Sequence, residues 1–373
     1  MLVGNGLSIA FSDKLSLGNI SSELTDRLTS IYGNQSGDVA KAMQKVAGHA
    51  RTGDPITDFE SLIGAFGGQT DILRDLETFA DLTEDSPEMT HAISKVRDFV
   101  GSVQRKGIGH TLEIIIERSY SDMTARKPIS DLFRLIREPF SAAITVANLN
   151  YDTLILSVLS EEYRSNFCDM AHGGASTSST ITLTGGPHNF YCLRPDSTDF
   201  PDKNWKPIRL LHLHGSVTFW KIDNSWVKVE IPTTRNPSVW NSYREGTLEA
   251  QPLIVLANQH DKADHVRRYP HNVAYEVAED DFRSSAHWLI VGYSFRDTCV
   301  NELLKRCWRS WSTKPRILVV TKGSDPADSV IEATFGLEAG KLSEFDIKIE
   351  RDGIADLGDT TGWKWFVGEE PPF

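Results

Sequence analysis

Three short stretches hold the side chains whose types and spacing could support chemistry. In residues 144–159, ITVANLNYDTLILSVL, an uncharged apolar run gives way to Asn150-Tyr151-Asp152. The run up to Leu149 reads as a buried parallel strand, and the apolar spacing after Thr153 as a helix packed on a sheet. Ligands of open α/β sheets bind beyond the carboxyl ends of the strands, so Asn150 and Asp152 stand at the mouth of a site if this is a strand–turn–helix unit. An Asx turn with Asp152 as helix N-cap accounts for the same residues without a site. Near the start, Gly4-Asn5-Gly6-Leu7-Ser8 separates an apolar stub from Ile9-Ala10-Phe11. Glycines between strand and helix permit close backbone approach, and a helix N-terminus offers N–H groups to a phosphate; a plain glycine turn fits equally. The third stretch is His212-Leu213-His214-Gly215-Ser216, where strand alternation puts both imidazoles on one face and Gly215 ends the strand. The HxH spacing invites a metal, but no third ligand accompanies it at a characteristic spacing, and no metal site is expected.

The elements that must position these residues follow from the rest of the chain. Residues 252–256, 288–292 and 316–321 read as further buried strands. The second of these runs into Gly292-Tyr293-Ser294-Phe295-Arg296-Asp297 and a helix to about Trp311, and the third into Lys322-Gly323-Ser324-Asp325-Pro326. Strands alternating with helices predict a parallel sheet covered on both faces. Residues 217–220 and 226–229, joined around Asp223-Asn224-Ser225, read as a hairpin. The small polar tract 171–179 reads as a mobile loop, and the aromatic tail from Phe345 as a closing strand. From about residue 20 to 138 the apolar spacing is helical, as in Leu24, Leu28 and Ile31 or Leu112, Ile115 and Ile116. Within it, Thr57-Asp58-Phe59-Glu60 reads as a helix cap with acidic residues in the first turn.

The totals narrow the class. A chain of 373 residues with a net charge of −12 is an ordinary globular protein, not a general binder of nucleic acid or anionic membrane. Its N-terminus lacks the basic and apolar segments of a signal peptide, and no apolar run approaches the roughly 18 residues of a membrane span. The four cysteines, Cys168, Cys192, Cys299 and Cys307, form no CxxC pair. That spacing excludes a zinc ribbon and points to a reduced, cytoplasmic protein.

The strand ends thus deliver GNGLS, NLNYD, HLHGS, VGYSFRD and TKGSD, in that order. The set resembles the sirtuins, and among them the branch without a zinc ribbon, the sirtuin-like NAD hydrolases of bacterial antiphage defence. In sirtuins a GAG-I-S loop binds the NAD diphosphate, and Gly4-Asn5-Gly6-Leu7-Ser8 is similar to it. Leu149-Asn150-Tyr151-Asp152 resembles the QNID motif that sets an asparagine beside the nicotinamide ribose, with leucine in place of glutamine. His214-Gly215 matches the HG motif of the catalytic histidine, and His212 does not. Gly292-Tyr293-Ser294 resembles the late GTS turn near the adenosine, and the segment with Asp58 is the loosest counterpart of a PDFR motif, lacking its arginine.

The resemblance, which covers the sheet and about half the chain, implies a single Rossmann-like α/β domain of the sirtuin type over residues 1–373. Its sheet core would be residues 1–12 and 140–330, its helical insertion about 20–138, and its C-terminal strand region 331–373. It implies NAD as substrate, Asn150 and His214 as catalytic residues, and Gly4, Asn5, Gly6, Ser8, Asp58, Asp152, Gly292 and Ser294 as NAD-binding. Without a zinc ribbon to wall an acyl-lysine channel, it favours NAD+ glycohydrolase activity over protein deacylation or a non-catalytic NAD- or ADP-ribose-binding module. It further implies a homo-oligomer held silent until a partner arrives, a HerA-type DNA-translocating ATPase first and a short argonaute second.

Overall fold

The computed structural model describes residues 1–32, 76, 78, 87–120, 126–179, 188–255 and 259–369. In chain order the first six strands are β1 (Leu2–Val3), β2 (Ile144–Asn148), β3 (Phe167–Cys168), β4 (Ala171–Ser179), β5 (His188–Leu193) and β6 (Ile208–His212). They are followed by β7 (Gly215–Ile222), β8 (Ser225–Lys228), β9 (Ala250–Ile254), β10 (His287–Val291), β11 (Arg316–Val320) and β12 (Ile347–Glu350). A seven-stranded sheet has the order β12-β11-β10-β1-β2-β6-β3, with parallel pairing throughout. The protein is thus the expected Rossmann-like α/β fold.

Strand β1 is only two residues long, yet it is the centre of the sheet. Leu2 pairs with Ala147 of β2 on one side and Ile290 of β10 on the other, and both Leu2 and Val3 are fully buried. From β1 the chain builds outward through β2 and β6, then returns to β10 and builds the other way. The strand order therefore reverses at β1, and a crevice must open beyond its carboxyl end. Gly4, Asn150 and Gly292 follow the strands that meet there.

Helices cover both faces. The described ones are α1 (Asn5–Phe11), α2 (Leu17–Tyr32), α3 (Pro87–Tyr120), α4 (Lys127–Arg137), α5 (Leu154–Glu162) and α6 (Ile231–Thr234). Beyond these lie α7 (Pro237–Glu245), α8 (Gln259–Val266), α9 (His271–Ser284), α10 (Thr298–Ser310), α11 (Asp328–Phe335) and α12 (Thr361–Val367). One face packs α9, α10 and α11 through Val277, Leu303, Trp308 and Phe335 onto Ile290 and Ile317. The other packs α1, α4, α5 and α12 through Leu7, Phe133, Leu156 and Phe366 onto Val146, Leu210 and Leu289. Residues 154–159 are buried without exception, as expected of a helix laid flat on a parallel sheet.

Three features depart from the sequence reading. First, the expected hairpin, β7 with β8, belongs to a second, antiparallel sheet of order β4-β5-β8-β7-β9. So does β9, expected as a buried strand of the parallel sheet but half-buried at residues 252–254 and paired antiparallel with β7. The hairpin's partners are non-local, so no local pattern announces them. Second, residues 171–179 are strand β4 and not a loop. Main-chain pairing with β5 orders this tract, and its register shift between Ala171 and Ser176 takes up the adjacent glycines. Third, β12 is the only strand described in the tail, and Trp363 and Phe366 instead lie on α12, packed against the main sheet.

The helical region packs on the antiparallel sheet. Ile20 and Leu24 of α2 and Leu112, Ile115 and Ile116 of α3 pack on Val217, Trp220 and Trp240 of the antiparallel side. Trp220 and Trp240 pack tilted at 5.3 Å between ring centroids, and Tyr243 closes the cluster edge-on. Buried aromatics of this size each contribute on the order of a few kcal/mol, so the antiparallel sheet has an apolar core of its own.

Candidate active site

A cleft of about 1120 Å³ opens beyond the carboxyl ends of β1, β2 and β10, where the topology requires it. Gly4, Asn5, Gly6, Asn150, Asp152, His214, Gly292 and Ser294 all line it. Of the residues expected at the site, Ser8 lies just behind the wall, 2% exposed, and Asp58 is outside the described residues. Residues scattered over most of the sequence are thus brought to one place.

The junction of α1 with β10 is made backbone against backbone. Gly4 N–H donates to Val291 O at 3.0 Å, Gly6 N–H to Gly292 O at 2.8 Å, and Leu7 N–H to Gly4 O at 3.1 Å. A Cβ on Gly4 would lie 2.6 Å from Gly292 O, and one on Gly6 2.6 Å from Gly292 Cα. The glycines are needed so that two backbone segments can touch; two of the loop's N–H groups are spent on that contact and a third on the loop's own turn. Asn5, which lines the cleft, is therefore the loop residue best placed to donate to an anion. The hydroxyl of Ser8 is spent as well, donating to Asp152 Oδ2.

Asn150 is held from several sides. Its Nδ2 donates to Gly4 O at 3.0 Å and to Ser8 Oγ at 2.8 Å, which ties the β2 turn to α1. Both amide hydrogens being used, Asn150 offers the cleft an acceptor, its Oδ1. Asn148 shapes the turn from behind, with Oδ1 accepting from Asn150 N–H and Nδ2 donating to Asn150 O, both at 3.1 Å. Asp152 accepts from Leu154 N–H at 3.0 Å, the expected Asx turn, but the helix N-cap is Thr153 and not Asp152, which stands one residue before it. One carboxylate therefore serves the helix and the site wall together. Burial raises the Asp152 carboxyl above its usual range, against the hydrogen bonds from Ser8 and Leu154.

The two histidines of HLHGS part company. Strand β6 ends at His212, the chain turns, and Gly215 opens β7 with φ +85. The expected alternation along one strand fails because the strand stops before His214. His214 faces the cleft. His212 is 1% exposed, edge-on to Phe219, with Nδ1 at 3.5 Å from Asn148 Nδ2. It supports the turn that carries Asn150.

Around His214 stand groups that no sequence motif singled out. Asp297 Oδ2 lies 3.2 Å from His214 Nε2 and 2.7 Å from Lys262 Nζ, with Tyr275 Oη 3.4 Å from the same imidazole nitrogen. Burial alone would raise the Asp297 carboxyl, but His214 and Lys262 beside it hold it far below the ordinary range. Its position is fixed by capping α10, Oδ1 accepting from Val300 N–H at 3.0 Å. The turn before it is braced by Tyr293, whose hydroxyl donates to Asn301 Oδ1 at 2.7 Å. A signal was present in Ser294-Phe295-Arg296-Asp297 ahead of a helix, the pattern of an N-cap. Lys262 carried none.

Two buried histidines give the protein an acid sensitivity. Burial depresses His212 to about 4, with Lys228 adding to the effect and Asp169 opposing it. Burial, with His214 and His265 nearby, depresses His271 to about 3. In the unfolded chain both bind a proton near pH 6.5, and in the folded chain neither does. The stability they contribute is present above about pH 6.5 and is lost as pH falls toward 4, each on the order of 3 kcal/mol. Urea melts at pH 7.5, 6 and 5 are expected to show a midpoint falling steeply below pH 6.5, whereas a flat midpoint would mean these histidines are not buried neutral.

Among the described residues no group of three or more His, Cys, Asp and Glu side chains converges on a metal-sized space, and all four cysteines are free thiols. No described helix is long and apolar enough to cross a membrane. Comparison with curated proteins finds no match. A family model, the SIR2-like domain, matches residues 144–339. The match spans more than half of the chain, from the first residue of β2 past α11, and includes Asn150, His214, Gly292 and Asp297. With the parallel sheet and the cleft at its topological switch point, this places the chain in the SIR2-like family.

Proposed function

We propose that the protein is an NAD+ glycohydrolase, releasing nicotinamide and ADP-ribose. The observation that carries the reading is the meeting of Asn150, His214 and the Gly4–Gly292 junction on one cleft large enough for a dinucleotide. In the reaction the bond from ribose C1′ to the nicotinamide nitrogen breaks, and its electron pair leaves with the ring, which becomes neutral. No strong acid is needed at the leaving group. Positive charge develops on the ribose, as in other glycoside cleavages, and water forms the new bond to C1′. Asn150 Oδ1 orients the water or a ribose hydroxyl, and His214 accepts the proton released, a contribution of about 10²–10⁴-fold. Asn5 contacts the diphosphate, and Ser294 lies toward the adenosine end.

The family also includes protein deacylases as the sequence resemblance describes them, but no pair among the four cysteines here has the spacing of a zinc ribbon. With its activator present, the protein is expected to release nicotinamide from NAD with no peptide added. Release only with an acyl-lysine peptide would replace the reading with deacylation. Binding of NAD or ADP-ribose without release, in the presence of its activator, would leave a binding module.

The helical region bears on control. Leu17 and Ile20 of α2, Ile115 of α3 and Pro128 of α4 line the cleft, so these helices roof the substrate site. A free NAD hydrolase would exhaust its own cell, and movement of this roof is a direct way to hold it silent. By resemblance to the defence branch, the activator is a separate HerA-type ATPase, or second a short argonaute, acting on a homo-oligomer. Light scattering with a parallel NADase assay tests this: a monomer at micromolar concentration with full activity would overturn both assembly and regulation.

A further inference from the structure

We propose that Lys262 and Asp297 are positioning residues that set the proton affinity and the tautomer of His214. The inference rests on the reading of His214 as the proton acceptor. The ionised Asp297 carboxylate, 3.2 Å from His214 Nε2, favours a ring proton on that nitrogen over one on Nδ1. That leaves the lone pair on Nδ1, and the base is presented in a single tautomer. A buried carboxylate alone would do this at a cost. It would favour the imidazolium so strongly that the base would arrive already protonated.

Lys262 removes that difficulty. Its ammonium touches the same carboxylate oxygen and is 3% exposed, so it sits within about 6 Å of the imidazole in a place water does not screen. With His214 neutral, the Lys262–Asp297–His214 group carries no net charge. A proton on His214 would leave a net positive charge in a buried cluster. Lys262 thereby opposes the pull of Asp297 and keeps His214 available as a base.

The other groups facing His214 do not duplicate this. From α9 come Tyr275 and the buried His271, the second held neutral. From α8, besides Lys262, comes His265, which acts on His271. Tyr151 stands across the cleft with its hydroxyl donating to Val255 O at 2.6 Å. Cys299, after Asp297, is held protonated, since burial and Asp297 both raise it. Arg296 lines the cleft and is exposed to solvent. Lys262 is the buried cation in contact with the carboxylate that binds the imidazole.

The test uses full-length protein labelled with ¹⁵N-histidine, the His214 signal being identified by its loss in His214→Ala. In the wild type the neutral ring is expected as the Nε2–H tautomer. Lys262→Met is expected to raise the proton affinity of His214 roughly ten- to hundredfold, one to two pH units. Asp297→Asn is expected to lower it and to mix the tautomers, and Lys262→Arg to restore the wild-type titration. With activator present, the acid limb of the NADase pH profile should move up in Lys262→Met and down in Asp297→Asn. Unchanged titration in Lys262→Met overturns the proposal. Should Lys262→Met fail to fold, Lys262→Gln and Lys262→Arg give the same comparison. The nuclear resonance experiment needs no turnover, so shifted titrations in a protein that never cleaves NAD would uphold the cluster while refuting the glycohydrolase reading.

Discussion

Alanine in place of His214 is expected to lower NAD cleavage by about 10²–10⁴-fold with little change in unfolding temperature. The fold should tolerate the loss because Asp297 keeps Lys262 as its counter-ion, so no buried charge is stranded. Asn150→Ala should be comparably inactive for a different reason. It removes the acceptor that orients the water or ribose, and it also unties the β2 turn from Gly4 and Ser8. Leaving those two partners unsatisfied should cost about 1–3 kcal/mol, visible as a lowered melt in a protein that still folds. His212→Ala is the informative contrast. His212 packs on Phe219 behind the turn, so its loss should lower stability and leave most of the turnover at temperatures where the protein is folded. Equal loss of turnover in the two histidine variants would show that the base has been assigned to the wrong ring.

That contrast marks how far the sequence could be read. Periodicity along 144–159 and the apolar runs at 288–292 and 317–320 depend only on which residues face a core, and each became a strand or helix as expected. That His214 and not His212 reaches the cleft was legible because Gly215 marks where the chain turns, although the turn comes earlier than alternation implied. The antiparallel sheet was not legible. Strand β4 is ordered by partners in β5, and its own residues carry no strand pattern. Lys262 was invisible for a related reason. It stands on a polar helix with nothing in its neighbours to show that it is buried, and its role is created by an Asp297 distant in sequence. Motifs record what a short segment does alone, and the surroundings of His214 are assembled from three segments together.

The glycine junction supplies the second large effect. Gly292→Ala is expected to destabilise the protein by about 3–5 kcal/mol and to abolish NAD cleavage in whatever folds. Two costs add. Gly292 has φ +61, where an L side chain is disfavoured by about 1 kcal/mol or more. Its Cβ would also fall 2.5 Å from Leu7 N and 2.6 Å from Gly6 C, both backbone atoms that cannot swing aside. Relief requires α1 to back away from β10, which breaks the Gly6 N–H to Gly292 O bond and moves Gly4, the residue whose carbonyl holds the Asn150 amide. Displacement at the glycine therefore reaches Asn150 through a single hydrogen bond. Gly340→Ala separates the two costs, since Gly340 has φ +80 with no atom within 4 Å of its added carbon. It should lose about 1 kcal/mol and keep full activity. Thermal melts of the two variants side by side decide the matter. Similar small losses would mean that α1 yields easily, and that the close approach of these backbones is not what holds Asn150 in place.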